Sequence, residues 1–350
     1  MVSFSDTSAP SVVLVMPDTS LHGGNRIPLE LGQRLQRCGY RVVVVSPAPP
    51  PSWHRLEVEY RQLDVYRSGA LPEADIAIGT YYPTVGPAFG SGARHVFHLC
   101  QGYEGVHREF AERMPAIDSA YRLPIPKLLV SAHLQPVLEE RYGARCHVIG
   151  QAVDQEIFRP APSPEDAGPL RIGVVGPFGI RPKGIGEALQ GLALARAAGQ
   201  ALEVHRAAAA PLSEEEARLG VTDRYHHGLS TEQMAEFYRG LDAYVHPSHD
   251  EEGFPLPPLE AMACGVPVAV SRIRSFAVLP DAAVLRFPPG RPEELVPIVA
   301  ELARPERRRE LRARGLEVVR AYTFDRVIGR LLAAFEEEGA PLPVGLPTPV

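Results

Sequence analysis

Short apolar runs alternate with amphipathic segments along the chain, which predicts strands and helices in succession. Residues 241–247 and 266–271 are apolar runs of strand length on either side of a polar loop and a short helix. Pro257 and Pro258 suit the first turn of that helix, where no amide hydrogen is needed, and Gly265 suits its end. The pattern predicts a strand–loop–helix–strand unit. Its loop lies at the carboxyl end of a strand, where open parallel sheets bind ligands.

The first half of the chain alternates in the same way. Strands are predicted at residues 11–16, 41–46, 74–79 and 94–99, with a helix at 27–35 after the first strand. Residues 126–133 are predicted as a strand that leads into a helix through Ser131. The loop 17–25 before that helix contains Gly23 and Gly24. Paired glycines before a helix let a phosphate approach the backbone closely, although most such glycines only form turns.

The second half begins with a strand at residues 170–176 that runs into a glycine-rich loop. Gly173, Gly176 and Gly179 are spaced as G-x-x-G-x-x-G, which differs from the dinucleotide-binding fingerprint G-x-G-x-x-G. The helix also starts only after Lys183, so a nicotinamide-cofactor site is rejected. Further strands are predicted at residues 201–205 and 282–286, and helices at 292–303, 306–322 and 324–338. This succession is typical of an α/β fold.

The composition is that of a globular protein with two domains. The chain has 350 residues, which suits two domains of about 150 each, and it is 45% apolar and 22% charged. A net charge of −6 without a basic block disfavours nucleic-acid binding. Residues 1–10 lack a signal-peptide pattern and no apolar run reaches about 18 residues, so we expect a cytoplasmic protein with at most peripheral membrane association. The cysteines are scattered, which predicts reduced structural thiols at Cys38, Cys100, Cys146 and Cys264.

Two acids and two cations carry the candidate chemistry. Glu252 lies in the loop of the 241–271 unit and Glu260 in the first turn of its helix. A carboxylate accepts two sugar hydroxyls, so one acid can hold a ribose and the other a hexose, although Glu260 can also simply complement the helix dipole. Arg181 and Lys183, the latter one of only two lysines, follow a strand in a glycine-flanked loop. There they can neutralise a leaving diphosphate or form a solvated charge pair.

No metal site is predicted. His226 and His227 are adjacent, so their side chains rarely point the same way, and no third ligand has a suitable spacing. Ser230 and Gln233 have the spacing of a capping box, which places a helix start at this point.

The stretch from Glu252 to Glu260, with seven residues between the two acids, is followed by Ala-Met-Ala-Cys-Gly-Val-Pro-Val at 261–268. It closely resembles the donor-site EX7E motif of retaining glycosyltransferase family 4, whose members have the GT-B fold. The resemblance implies that Glu260 binds the donor ribose and that Glu252 holds the transferred sugar. The loop backbone would complete this contact, at Gly253, Phe254, Pro255 and Leu256. The family often has Gly-Phe-Gly here, and Pro255 removes one backbone donor.

The same resemblance implies roles for the phosphate-facing loops. Arg181 and Lys183, with Gly179 before them, resemble the phosphate-binding loop of the family. Gly23 and Gly24 match the paired glycines that family members place opposite the donor diphosphate. The loops at 205–211 and 226–230 correspond to the pocket for the base.

One position of the first half departs from the family. Many members carry a His near the end of the strand that corresponds to residues 94–99, facing the transferred sugar. His98 and Gln101 both compete for that position. The sequence Gln-Gly-Tyr-Glu at 101–104 resembles a subgroup in which Gln replaces the His, and this favours Gln101. His98 is then expected to be a core histidine with its hydrogen bonds satisfied.

The resemblance implies an α/β protein of GT-B type, with two Rossmann-like domains facing across a cleft. We expect an N-terminal acceptor domain at 1–160, a donor domain at 161–322, a helix at 323–340 that crosses back onto the first domain, and a disordered tail at 341–350.

The function that this resemblance implies is sugar transfer with retention of anomeric configuration, by a hexosyltransferase. The donor would be a nucleoside-diphosphate sugar of the UDP or GDP type, and the acceptor hydroxyl that of a sugar, a lipid-linked molecule or a small molecule, in glycan, lipid or natural-product glycosylation. The catalytic residues would be Glu252, Arg181, Lys183 and Gln101, with no metal and no cofactor besides the donor. Two alternatives remain, a GT-B sugar-nucleotide epimerase or hydrolase and a non-catalytic sugar-nucleotide-binding protein.

Overall fold

The computed structural model describes residues 9–21, 23–161 and 168–344. These residues form two compact units. One contains the chain up to Gly150 and again from Phe324, and the other is Gln151–Thr323.

The division of the chain can be compared with the predicted one. The sequence places the boundary between residues 160 and 161, whereas the second unit of the structure begins at Gln151. Residues 162–167, near the start of the predicted donor domain, and residues 345–350 of the predicted tail lie outside the described part of the chain.

The first unit is built on a parallel sheet. Its strands are β1 (Ser11–Val15), β2 (Arg41–Ser46), β3 (Glu59–Gln62), β4 (Ile76–Gly79), β5 (His95–Cys100), β6 (Lys127–Leu129) and β7 (Cys146–Val148). The helices between them are α1 (Gly23–Arg37), α2 (Tyr82–Phe89), α3 (Met114–Tyr121) and α4 (Leu134–Tyr142). Within the described residues the sheet has seven strands, in the order β3-β2-β1-β4-β5-β6-β7. The valine-rich strands β1 and β2 are mostly buried, as expected of strands that helices cover on both faces.

The second unit repeats this architecture. Its strands are β8 (Leu170–Val175), β9 (Leu202–Ala208), β10 (Arg224–His227), β11 (Ala243–His246), β12 (Val268–Ser271) and β13 (Val284–Phe287). Its helices are α5 (Ile185–Ala197), α6 (Glu214–Ala217), α7 (Thr231–Arg239), α8 (Pro257–Ala263), α9 (Leu295–Leu302) and α10 (Pro305–Val319). In the described residues the strand order is β10-β9-β8-β11-β12-β13, all parallel. The order reverses between β8 and β11, and the crevice at the carboxyl ends of such strands is the usual ligand site of an open α/β sheet.

The last helix, α11 (Phe324–Glu337), belongs to the first unit although it follows the second in sequence. Its buried side includes Ile328, Leu331 and Phe335. The Phe335 ring packs 4.9 Å from the ring of Phe97 on β5 and 6.1 Å from that of Tyr40. These apolar contacts pack α11 against the sheet of the first unit. No helix in the described part of the chain is both long and apolar enough to cross a membrane.

The start of α1 corrects one prediction. The loop was expected to extend to Asn25, but α1 begins at Gly23, so the paired glycines lie in the first helical turn. The Asn25 side chain explains the difference, because its amide donates to Asp18 Oδ1 at 2.7 Å and to the Ser20 carbonyl at 3.0 Å. These bonds hold the loop against the helix, so the helix starts two residues earlier than the predicted loop ends.

Three of the shorter elements have no counterpart among the predictions. Strand β3 is a partly exposed edge strand of sequence Glu-Tyr-Arg-Gln, without apolar alternation. Helix α2 has only eight residues and contains Pro87, and α6 is a single turn. Each is too short or too polar for a periodic pattern to reveal.

Candidate functional site

The predicted unit around residues 241–271 is confirmed. Strands β11 and β12 pair in parallel, and α8 lies between them in sequence. Pro257 and Pro258 occupy the start of α8, and Gly265 follows its end with φ +76°. The loop at 247–256 therefore leaves the carboxyl end of β11, directly beside the point where the strand order reverses.

A second loop reaches the same edge of the sheet from β8. It passes through Gly179, which has φ +82°, and then forms a single 3₁₀ turn at Arg181–Lys183. Helix α5 follows directly, so both predicted cations stand between the carboxyl end of a strand and the start of a helix.

The two loops are in direct backbone contact. Gly184 has φ +61°, and a Cβ atom on it would overlap the carbonyl oxygen of Pro247. The backbone amide of His249 also donates to the Pro182 carbonyl at 2.8 Å. Glycine is required at position 184 because no side chain fits between the loops there.

This contact brings the predicted cations and acids together. Lys183 Nζ lies 2.7 Å from Glu252 Oε1, and the guanidinium of Arg181 forms an ion pair with Glu251. The side chain of Lys183 is 33% exposed and that of Arg181 is 55% exposed, whereas both carboxylates are largely covered. A diphosphate would therefore bind by sharing or replacing these carboxylate partners.

Glu251 is a site residue that the sequence interpretation missed. It follows Asp250 and precedes Glu252 in a run of three acids, so only its position beside the motif could have singled it out. Asp250 is used differently, since it accepts a hydrogen bond from the backbone amide of Arg274 at 2.8 Å. The three neighbouring acids thus contact three different partners.

Glu260 is buried in the first turn of α8, with 4% of its surface exposed. The hydroxyl of Tyr238, on α7, donates to its Oε2 atom at 3.1 Å. The position near a helix amino terminus favours a carboxylate, since the backbone amides there are only partly satisfied. The Glu260 carboxylate is therefore held in place by the Tyr238 hydroxyl.

The loop between the two glutamates is closely packed. Gly253, Phe254, Pro255 and Leu256 are all buried. The Phe254 ring lies 6.0 Å from the ring of Phe276 and 5.9 Å from the ring of Tyr322. Because Pro255 has no amide hydrogen, backbone donors of this loop are limited to its other residues.

A buried chain of polar groups lies beneath the two loops. His246, at the end of β11, is hydrogen-bonded to the Tyr244 hydroxyl through Nδ1 (2.8 Å) and to the Ser248 hydroxyl through Nε2 (2.9 Å). Burial, and then the charge of Lys183, lower the pKa of His246 from 6.5 to about 3. The imidazole is therefore neutral at physiological pH, and it adds no positive charge beneath Lys183.

This histidine makes the fold sensitive to acid. The unfolded chain protonates His246 below about pH 6.5 whereas the folded chain does not until about pH 3, so stability falls as the pH is lowered through that window. We expect the free energy of unfolding to lose about 2 kcal/mol from this group between pH 7 and pH 5. Urea unfolding at both pH values measures the loss, with His246→Gln as the variant that cannot titrate. An equal pH dependence in the two proteins would contradict this assignment.

The predicted residues of the first unit form a separate group. Gln101, just after β5, donates from Nε2 to the Gly24 carbonyl at 2.7 Å. Gly23 and Gly24 lie in the first turn of α1, where backbone amides have no partner within the helix. The structure therefore joins Gln101 to the paired glycines, a contact that the sequence did not predict.

His98 corrects another expectation. It is fully buried, as predicted for a core histidine, but neither ring nitrogen has a hydrogen-bond partner, so its polar atoms are not satisfied. The residue lies opposite Lys127 in the β5–β6 register, and its ring packs 4.8 Å from that of Tyr121. Burial, and then the charge of Lys127, lower the pKa of His98 well below its ordinary value. The ring is therefore neutral at physiological pH.

Glu104, in the turn after β5, is fixed by a neighbouring tyrosine. Tyr121 donates to Glu104 Oε2 at 2.6 Å and lies 3.1 Å from the Gly102 carbonyl. Burial raises the pKa of the Glu104 carboxyl, although the Tyr121 hydroxyl partly opposes that rise. Glu104 is thus held within the turn that follows β5.

A cavity of about 490 Å³ lies between α7 and the strands β9 and β10. Its lining includes His205, His226 and Leu229. These residues fall in the ranges 205–211 and 226–230 predicted as loops that hold the base, but His205 lies on β9 and His226 on β10, so the strands extend into both predicted loops. The lining also includes Arg171 and Gly240, near the amino ends of β8 and β11. The cavity therefore does not coincide with the ion pairs of the two loops. In the described residues, no group of three or more His, Cys, Asp or Glu side chains is arranged to hold a metal ion.

Comparison with known proteins finds a family model that matches part of the chain. Residues 169–304 match the family model described as Glycosyl transferases group 1. That range includes the loop with Arg181 and Lys183 and the whole 241–271 unit. It lies entirely within the second unit.

Two curated relatives match parts of the chain. The lipopolysaccharide core biosynthesis mannosyltransferase LpsB of Rhizobium meliloti is 40% identical over 82 residues, which are 23% of this chain and 23% of the relative. The MMP alpha-(1->4)-mannosyltransferase of Mycolicibacterium hassiacum is 25% identical over 248 residues, 67% of this chain and 57% of the relative. The chain therefore spans less than two thirds of the length of either relative.

Solved structures match nearly the whole chain. Sucrose-phosphate synthase from Thermosynechococcus elongatus superposes with a TM-score of 0.78 at 18% identity, covering 95% of this chain and 99% of that one. HepE of Anabaena in complex with UDP-glucose superposes with a TM-score of 0.75 at 14% identity, covering 94% and 100%. Identities this low are informative about the fold alone. The chain has two Rossmann-like parallel-sheet units matching the GT-B fold, and residues 169–304 match a group 1 glycosyltransferase domain.

Proposed function

We propose that this chain is a retaining glycosyltransferase that moves a sugar from a nucleoside-diphosphate sugar to an acceptor hydroxyl. The observation that carries the proposal is the cluster in which Lys183 meets Glu252 and Arg181 meets Glu251. It lies at the carboxyl ends of β8 and β11, where the strand order reverses. Cations for a diphosphate and carboxylates for sugar hydroxyls are thus in one place.

The relatives support this choice of donor. Both curated relatives are named mannosyltransferases, and one matching structure contains UDP-glucose. The names support a hexose as the transferred sugar, and the complex supports UDP as its carrier. GDP as the other carrier, and a sugar, lipid-linked or small-molecule acceptor, are proposed from the family resemblance of the sequence. The family 4 motif seen in the sequence supports retention at the anomeric carbon.

Each residue of the site has a distinct part in the proposed reaction. Arg181 and Lys183 stabilise the diphosphate as negative charge develops on it, because fixed cations need no rearrangement at that moment. Glu260, buried and oriented by Tyr238, accepts hydrogen bonds from the ribose hydroxyls. Glu252 and the backbone of the next four residues hold the transferred sugar.

The chemical step is a same-face displacement. The bond between the anomeric carbon and the diphosphate oxygen breaks with its electron pair going to that oxygen. The acceptor oxygen forms the new bond to the anomeric carbon from the same face, and its proton passes to the leaving diphosphate. For Gln101, Gly23 and Gly24, in the first unit, the proposed roles remain those that the family resemblance implies.

A ligand screen tests the proposal directly. The melting temperature would be measured with UDP, GDP, UDP-glucose and GDP-mannose, since a ligand at 100 times its Kd adds about 2.7 kcal/mol to stability. Incubation of the best donor with simple glycosides, followed by proton NMR, then reports the anomeric configuration of the product. A chain that none of these nucleotides stabilises is not the proposed transferase. Sugar released without any acceptor would show a hydrolase instead.

Chelation provides another test. The proposed stabilisation of the diphosphate comes from Arg181 and Lys183, so we expect turnover to survive an excess of EDTA. Initial rates would be compared with and without EDTA, and again after adding back magnesium or manganese. Activity that disappears on chelation and returns with either ion would contradict the metal-independent assignment.

A further inference from the structure

A charged pair is fully buried in the second unit, close to the proposed donor site. Arg206 on β9 has none of its surface exposed, and its Nε lies 2.7 Å from Glu216 Oε1, whose side chain is 1% exposed. Glu216 lies outside the sequence motifs that point to sugar transfer, and Arg206, within the range 205–211 predicted for the base, was given no role of its own. A buried guanidinium is costly to desolvate, so its contacts call for an explanation.

The remaining donors of Arg206 hold the end of β8. Nη1 donates to the Val174 carbonyl at 2.6 Å and Nη2 to the Gly176 carbonyl at 2.8 Å. Gly176 is the first residue after β8 and has φ +137°, so the chain turns there into the loop that carries Arg181 and Lys183. One guanidinium therefore fixes the point from which the phosphate-facing loop departs.

The carboxylate partner holds a different loop. Glu216 belongs to α6, whose start is capped by Ser213, and the Ser213 hydroxyl accepts from the Glu216 amide at 3.1 Å. The segment that leads from β9 into α6 is also held by Tyr225, whose hydroxyl donates to the Ala210 carbonyl at 2.9 Å. The end of β9 and the start of this segment make up residues 205–211, the range that the family resemblance links to the base of the donor.

The chemistry of arginine suits this connection. A buried ion pair is a weak source of stability, because apolar residues of similar volume often stabilise a fold as well or better. The rigid fork of a guanidinium can, however, fix several acceptors at set distances and angles, which an ammonium or an apolar side chain cannot do. Here it fixes two carbonyls at the carboxyl end of β8 and a carboxylate on α6.

We propose that Arg206 and Glu216 are positioning residues that set the phosphate-facing loop in register with the loop that receives the base. The proposal rests on the proposed function, since it concerns the affinity of that same donor site. Neither side chain touches the ligand. Their removal would leave the contacting residues in place but misaligned, and a nucleotide that spans both loops would bind more weakly.

The test replaces the pair by apolar residues of similar size. In the double variant Arg206→Met/Glu216→Leu no charge is left unpaired, so we expect a cooperative fold with a melting temperature near that of the parent protein. Its affinity for UDP and GDP, measured by calorimetry, should fall about ten-fold because two carbonyl anchors are lost. Arg206→Lys keeps a cation for Glu216 but lacks the guanidinium fork, so it should show the same loss of affinity for UDP and GDP. This variant tests the positioning role if the double variant does not fold.

The chain offers a matched control at the amino ends of the strands of the same sheet. Arg312 on α10 also donates to two carbonyls of separate segments, those of Gly265 at 2.9 Å and Ala161 at 2.6 Å. Gly265 lies just before β12, at its amino end, whereas the ligand loops lie at the carboxyl ends of the strands. Arg312→Lys and Arg312→Met therefore remove an equivalent fork away from the loops and should leave nucleotide affinity unchanged.

The outcomes separate the positioning role from the proposed function. Parent-like affinity for UDP and GDP in folded Arg206 variants would overturn the positioning role. An equal loss in the Arg312 variants would overturn it as well, because any missing guanidinium would then suffice. A parent protein that binds neither UDP nor GDP would instead refute the proposed function on which the inference depends.

Discussion

Lys183→Ala is expected to lower turnover roughly 10- to 150-fold while changing the free energy of unfolding much less. Lys183 is proposed to stabilise the leaving diphosphate, and one charge-assisted contact is worth about 1.5–3 kcal/mol. The side chain is one third exposed, so its pairing with Glu252 at 2.7 Å contributes little to stability. Turnover under saturating donor and urea unfolding would be measured on the same preparation.

The control for this variant removes a cation of the same unit from an exposed site. Arg314 pairs with Glu317 on α10 at 3.3 Å, with more than half of each side chain exposed. Arg314→Ala should therefore leave both turnover and stability close to those of the parent protein. Full turnover and unchanged diphosphate affinity in Lys183→Ala would refute the phosphate role.

Glu260→Gln and Glu252→Gln are expected to fail in different ways. Glu260 is proposed to bind the ribose, so its amide variant should weaken binding of the free nucleoside diphosphate as well as of every donor that shares that ribose. Glu252 is proposed to hold the transferred sugar, so its variant should lower turnover and leave affinity for the free diphosphate nearly unchanged. A carboxylate hydrogen bond of this kind is worth about 1.5–3 kcal/mol, which calorimetry resolves.

The structure makes these substitutions suitable probes. In Glu260→Gln the side-chain amide oxygen can still accept from the Tyr238 hydroxyl, so the variant should retain its local packing. Glu317→Gln, on the exposed face of α10, is the matched loss of one carboxylate and should change neither affinity nor turnover. Equal losses of diphosphate affinity in the Glu252 and Glu260 variants would show that the roles are divided wrongly. If neither variant changed binding or turnover, the motif would be only a structural turn.

Local chemistry along the chain was sufficient to predict many elements of the second unit. The capping box at Ser230 is present, with the Gln233 amide donating to its hydroxyl at 3.3 Å and the Gln233 side chain accepting from its amide at 2.8 Å. Pro257, Pro258 and Gly265 bound α8 as expected. Caps, prolines and hydrophobic periodicity act over a few residues, so a single sequence records them directly.

Polar edge strands and the first residues of helices were harder to predict from the sequence. Strand β3 has no apolar alternation and forms because the edge of β2 offers it backbone partners. The start of α1 depends on how the Asn25 side chain bonds to Asp18 and Ser20. Such features depend on which groups remain unsatisfied after the neighbouring elements have formed, and composition alone does not reveal them.

Contacts between distant residues required the folded chain. Arg181 and Glu251 are 70 residues apart, and they meet because the two loops are in direct backbone contact at Gly184. The orphaned nitrogens of His98, and the guanidinium of Arg206 that joins two loops, likewise result from packing across neighbouring strands. A linear pattern names the residue types that a site needs. Which cation meets which acid, and which polar group is buried without a partner, depends on the register of the sheet and on the space left between its loops.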